Sequence, residues 1–114
     1  MTTIYGIKNC DTMKKAFTWL DEHKIAYTFH DYKKQGLDEA AFERALKQHG
    51  WENVINRRGT TWHKLPEATQ KSMNAEKALE IARENPSIIK RPLLSANDDL
   101  VLGFSEDSYA KVFK

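Results

Sequence analysis

The chain has 114 residues, of which 40% are apolar and 11% aromatic, enough for one domain with a core of its own. Lys and Arg number 18 against 16 Asp and Glu, and a formal charge of +2 is too weak a field to recruit nucleic acid or a membrane surface by itself. A single cysteine excludes an internal disulfide and the paired-cysteine zinc patterns, and no apolar run nears the roughly 20 residues of a membrane span.

Met1-Thr2-Thr3-Ile4 lacks the basic start and apolar core of a secretory leader, so a single cytoplasmic domain is expected over residues 1–114; a monomer is favoured, with the oligomeric state left open by the sequence. Thr2 to Gly6 is short, β-branched and aromatic and ends in glycine, which predicts a first strand. From Thr12 to His23, Met13, Ala16, Phe17 and Leu20 recur at three- and four-residue steps and make one stripe on an amphipathic helix. Ala26 to Tyr32 reads as a second strand with Tyr27 and Phe29 on one face. Strand, helix and strand within about thirty residues form a βαβ unit, so the two strands are expected to be parallel.

Lys33 to Gly36 is a polar loop, and Asp38 is placed to cap the next helix, whose stripe is Phe42, Ala45 and Leu46. Gly50 is expected to close that helix in a left-handed conformation. Asn56 to Leu65 is basic, polar and irregular; a further helix follows from Ala75 to Glu84, capped by Asn74 and stopped at Asn85-Pro86. No strand is expected between Tyr32 and Ile88, so residues of about 37–86 form a helical insertion. Leu93 onward and Leu100 to Phe104, separated by the turn Asn97-Asp98-Asp99, make an antiparallel hairpin. Pro92 cannot donate to a ladder and therefore precedes the strand. Ser105 caps a last helix. The fold class is α/β: β-α-β, helical block, β-β-α, with a mixed four-stranded sheet. That order, with a cysteine at the first turn and a proline leading the third strand, is the arrangement of a thioredoxin-like fold.

Cys10 stands where the first strand turns into the first helix. A thiol at a helix start sits beside unpaired N–H groups and the positive end of the helix dipole, and both favour the nucleophilic thiolate. The plainer reading is a buried structural cysteine. Asn9, Thr12 and Lys14 surround it in the sequence. No second cysteine lies at the three-residue spacing of a dithiol motif, where Met13 stands, so an outside thiol would have to resolve any disulfide formed at Cys10; glutathione is the obvious small candidate. Arginine matches oxyanions and carboxylates, and Arg57, Arg58 and Arg91 are the candidates, although each singly also reads as a solvated surface charge. Arg91 is distinguished by its place before Pro92 within an apolar run, where a cis bond would turn the backbone toward the cysteine. The four histidines show no ligand-like spacing, so neither a metal nor a tightly bound cofactor is expected.

Three stretches, Ile4-Tyr5-Gly6 through Cys10-Asp11-Thr12, Asn56-Arg57-Arg58-Gly59-Thr60-Thr61-Trp62, and Ile89-Lys90-Arg91-Pro92, together resemble the glutaredoxin-linked arsenate reductase (ArsC) family. That family also contains the Spx-type transcription regulators, and the likeness is greatest to its branch of small bacterial YffB-like proteins. The resemblance implies a thioredoxin-like fold with a helical insertion and a cis bond before Pro92. It also implies Cys10 as nucleophile and Arg58 and Arg91 as anion-binding groups; Asn9, Thr12, Lys14, Arg57 and Pro92 are supporting candidates by their place in the sequence. A small oxyanion or thiol substrate, glutathione as co-substrate and glutaredoxin as a further partner follow from the same resemblance. The family's reductases carry a third arginine in the last hairpin and a histidine four residues before the cysteine; here the hairpin is acidic and that position is Gly6. The reading is a glutathione-dependent thiol reductase, with a Spx-like regulator or other protein-binding module as the alternative.

Overall fold

The computed structural model describes residues 2–113. Their contacts group into two compact units, one of residues 2–35 with 91–113 and one of residues 36–90. No helix among the described residues is long and apolar enough to cross a membrane.

The first unit holds the sheet. Strands β1 (Thr2–Gly6), β2 (Thr28–Asp31), β3 (Leu93–Ala96) and β4 (Asp99–Leu102) lie in the order β2-β1-β3-β4. β1 runs parallel to β2 and antiparallel to β3, and β3 and β4 form the expected hairpin. In this register Ile4 stands opposite both Phe29 and Leu94. Because side chains alternate across a strand, that row faces one way. It packs with Met13, Ala16 and Leu20 of helix α1 (Asp11–Glu22) and with Tyr109 of the last helix in this unit, Glu106–Val112. Ser105 caps that last helix through its hydroxyl, which accepts from Ser108 N–H, and Phe104 meets Tyr109 edge-on at 4.8 Å.

Two local expectations change here. β2 begins at Thr28, opposite Thr3, and so is shorter than the apolar stretch suggested. Tyr32–Gln35 is a helical turn, α2, where a loop was expected. Asp31 explains the helical turn: its Oδ1 accepts from Lys33 N–H at 3.0 Å, in the manner of an N-cap, and its own N–H donates to Gln35 Oε1 at 3.2 Å. The strand therefore ends by starting a helix.

The second unit is helical: α3 (Glu39–His49), α4 (Trp51–Val54), α5 (Thr60–His63), α6 (Glu67–Lys71) and α7 (Ala75–Glu84), then a 3₁₀ turn over Pro86–Ile88. The final helix, Glu106–Val112 of the first unit, is α8. Asp38 accepts from Ala41 N–H and Asn74 from Lys77 N–H, so both caps are formed as expected. The stretch after Asn56 contains α5, a turn of helix missed because its apolar content is one residue, Trp62. Gly50 has φ of 82° but ψ of 151°, a positive-φ glycine with extended ψ in place of the left-handed cap. An isolated antiparallel bridge joins Ile55 to Ile89, with Lys90 N–H donating to Val54 O at 2.8 Å.

Candidate functional site

Cys10 is the N-cap residue of α1, with extended backbone (φ −125°, ψ 131°). An N-cap side chain faces the N–H groups of the second and third helical residues, which here are Thr12 and Met13. The sulfur makes no cap hydrogen bond as a thiol, but those donors are placed to serve it as a thiolate. Cys10 is partly buried and leans against the core cluster. That burial pushes the thiol up; the N–H groups of Met13 and Thr12, a hydrogen bond from Arg91 and the Arg91 charge outweigh it, and the group sits below the ordinary thiol range. The site thus gathers two backbone donors and one guanidinium around a thiol whose anionic form they favour.

Arg91 reaches the thiol from the segment that enters β3. The Arg91–Pro92 bond is cis, Pro92 is buried, and its carbonyl accepts from Gly103 N–H at 2.8 Å, which ties the segment to the end of the β4 hairpin. Of the supporting candidates, Thr12 contributes its N–H. Asn9 and Lys14 are exposed, and Lys14 N–H closes the first turn on Cys10 O at 3.0 Å. Met13 is the residue that sequence reasoning missed as a participant. It was read as part of the apolar stripe of the first helix and as an absent second cysteine, although cap geometry alone places its N–H at the sulfur.

The Met13 side chain has a second role. It is fully buried, and a Cβ built on Gly6 would come within 2.7 Å of its Cε. Gly6 and Met13 are therefore two halves of one packing arrangement beneath the thiol turn, since no side chain fits at position 6 while the thioether occupies that space.

Arg57 and Arg58 belong to the second unit. Asn56 turns the chain there: its Oδ1 accepts from Arg58 N–H at 3.2 Å and its carbonyl from Gly59 N–H at 3.3 Å. The Arg57 guanidinium lies over the Trp51 ring, 5.7 Å from its centroid. Both arginines are exposed, and with Glu52, Asn56 and Lys90 they line a cavity of about 450 Å³ in which three cations face one carboxylate. In the first unit, Cys10, Thr12 and Arg91 come together. Among the described residues no cluster of three or more His, Cys, Asp or Glu side chains gathers where a metal could sit.

The chemistry open to this site is nucleophilic attack by a single sulfur. With no second thiol in the chain, an adduct at Cys10 must be released by a thiol from outside.

Comparison with known proteins bears on the family and the fold. The ArsC family pattern matches residues 5–112. An uncharacterised protein of Haemophilus influenzae is 43% identical over 113 residues, covering 99% of both chains. The global transcriptional regulator Spx of Staphylococcus aureus is 29% identical over 94% of this chain and 82% of its own length. Among solved structures, the YffB (PA3664) protein superposes with a TM-score of 0.95 at 49% identity over the whole of both chains. An arsenate reductase (ArsC) related protein from Brucella melitensis matches with a TM-score of 0.76 at 51% identity, covering 99% of this chain and 94% of its own. The fold is thioredoxin-like, and the chain belongs to the ArsC family.

Proposed function

We propose that the protein is a glutathione-dependent thiol reductase working through Cys10 alone. The observation that carries this reading is the thiol at the α1 N-cap, drawn below its ordinary range by Met13 N–H, Thr12 N–H and Arg91, in a chain with no resolving cysteine. The Cys10 thiolate attacks the glutathionyl sulfur of a mixed disulfide. A Cys10–glutathione disulfide forms, and the substrate sulfur leaves as a thiolate that takes a proton from water. A second glutathione thiolate then attacks the glutathionyl sulfur, releasing glutathione disulfide and returning Cys10 as a thiolate. One disulfide enters the cycle and one leaves it: the entering glutathione thiol ends as half of glutathione disulfide while the substrate sulfur is released as a thiol, and Arg91 stabilises the cysteine anion at both ends. Arg58 is assigned a carboxylate or oxyanion of the substrate, and glutaredoxin is a further candidate partner.

Disulfide exchange is favoured over arsenate reduction because the Asn97–Gly103 hairpin supplies two neighbouring acids and no arginine, and because Gly6 leaves no imidazole beside the turn. A reducing, cytoplasmic setting is the one in which such a cycle runs. Turnover of a glutathionylated reporter peptide in reduced glutathione is the test. Wild type should release the peptide thiol catalytically and Cys10→Ser should not; release that survives in Cys10→Ser removes the proposal.

The likeness to Spx over 94% of the chain favours a second reading, a docking module acting on transcription. RNA polymerase captured from bacterial lysate by both wild type and Cys10→Ser would support it, and polymerase absent from both captures would count against it.

A further inference from the structure

We infer that the cavity beside the Cys10 turn, walled by Phe17, Tyr27, Phe29 and Asp31 and edged by Lys8 and Lys34, is a subsite for the peptide arm of the thiol partner: an arm that brings an N–H donor and a carboxylate together. This deepens the reductase reading and rests on it.

The cavity measures about 370 Å³, within the range of small-ligand sites. Its wall is aromatic and fixed. Phe17 stacks on Tyr27 with centroids 5.7 Å apart and meets Phe29 edge-on at 5.1 Å. A planar amide can lie against such a surface without losing solvent on both faces. Asp31 is a charged side chain only 7% exposed. Its Oδ1 is used by Lys33 N–H, and no hydrogen bond among the described residues engages Oδ2. Gln35 Oε1 is likewise taken by Asp31 N–H, which leaves the Gln35 amide nitrogen as a donor at the cavity. Lys8 and Lys34 are exposed, and neither forms an ion pair among the described residues.

The charges select the ligand. Two lysines and an amide donor attract an anion, but a compact inorganic oxyanion inside the cavity would face the Asp31 carboxylate. A peptide arm resolves the conflict: its amide N–H turns to Asp31, its body covers the aromatic wall, and its carboxylate stays at the lysine edge. Reach also fits. Lys8 is two residues before Cys10, at most about 7 Å along the chain, and Phe17 lies about 10 Å down the axis of α1. The cavity therefore has one edge at Lys8, two residues before Cys10, and runs to Phe17 on α1, a span that suits a short peptide tethered through its sulfur. Glutathione carries two such carboxylates, on its glycine and on its γ-glutamyl group.

S-methylglutathione, which cannot exchange disulfides, separates this inference from turnover. Titrated into the ¹⁵N-labelled protein, it should shift the amides of Phe17, Tyr27, Phe29 and Lys34, and the Lys8→Ala/Lys34→Ala double variant should bind it at least tenfold more weakly. The glycinamide analogue and the analogue without the γ-glutamyl α-carboxylate identify the arm: the one that binds as weakly to wild type as the parent binds to the double variant has lost the group held here. Inorganic phosphate should leave these amides still in wild type and move them in Asp31→Asn, which keeps the Lys33 cap but not the charge. A wild-type titration that leaves these amides still, equal binding of all three peptides, or phosphate entering the wild-type cavity would overturn the subsite. Turnover of the glutathionylated reporter alongside a silent titration would defeat the subsite and leave the reductase reading; binding at the cavity without turnover would do the reverse.

Discussion

Position 10 shows how little side-chain chemistry is needed to favour a thiolate. The backbone supplies two donors because the helix begins one residue later, and Arg91 supplies the charge; the neighbouring lysines remain in water. Beneath this turn, Gly6 and Met13 share one space, and that pairing has a measurable consequence. Gly6→Ala forces the buried thioether to move and should destabilise the protein by about 1–3 kcal/mol. The double variant Gly6→Ala/Met13→Ala should lose less than the sum of its single substitutions, by about 1 kcal/mol or more in denaturant titrations. Tyr109 makes the opposite case. Its hydroxyl is buried with no hydrogen bond among the described residues, and burial pushes its ionisation far up. Tyr109→Phe should therefore leave stability unchanged or raise it by about 1 kcal/mol, since the hydroxyl is desolvated without compensation.

Helix termini carry much of the local specification at the scale of elements. Asp38, Asn74 and Ser105 each accept a first-turn N–H, and Asp31 does the same at the end of β2. Asp38→Ala should cost about 1 kcal/mol, seen as a lower urea midpoint with an unchanged slope. Asp31→Asn should retain α2 by circular dichroism and amide shifts, because the amide oxygen still accepts from Lys33 N–H. Periodicity was enough to read the long helices: α7 begins and ends where the Asn74 and Asn85-Pro86 signals put it, and α1 differs from its expected start by one residue. It was not enough for α2, α4, α5 and α6. Helices of four or five residues show one turn or little more, too short for a repeat to declare itself, and are held by caps and tertiary contacts.

For the molecule as a whole, strand order follows from local rules that a sequence displays: a βαβ unit with parallel strands, then a tight hairpin, then a capped helix. The pairing of β1 with β3 is what brings Arg91 to Cys10, and the sequence hinted at it only through the proline between Arg91 and the strand. The candidate site was thus legible in its residues and not in its geometry. The cavity at Asp31 was not legible at all, because alternation along β2 says which face a residue occupies and nothing about what walls a space beside it. Arg57 and Arg58 were legible as a basic turn, and the Asn56 hydrogen bond and the Trp51 ring are what fix its shape.

Cys10 is the only thiol in the chain, so its alkylation reports one group without interference. A lowered ionisation means that the reactive thiolate persists as pH falls below the ordinary thiol range, until the folded value is reached. The rate of iodoacetamide alkylation measured against pH should accordingly inflect below that range in wild type and move up in Arg91→Ala. An inflection at or above the ordinary thiol value, unmoved by Arg91→Ala, would contradict the account of Cys10 as an activated nucleophile.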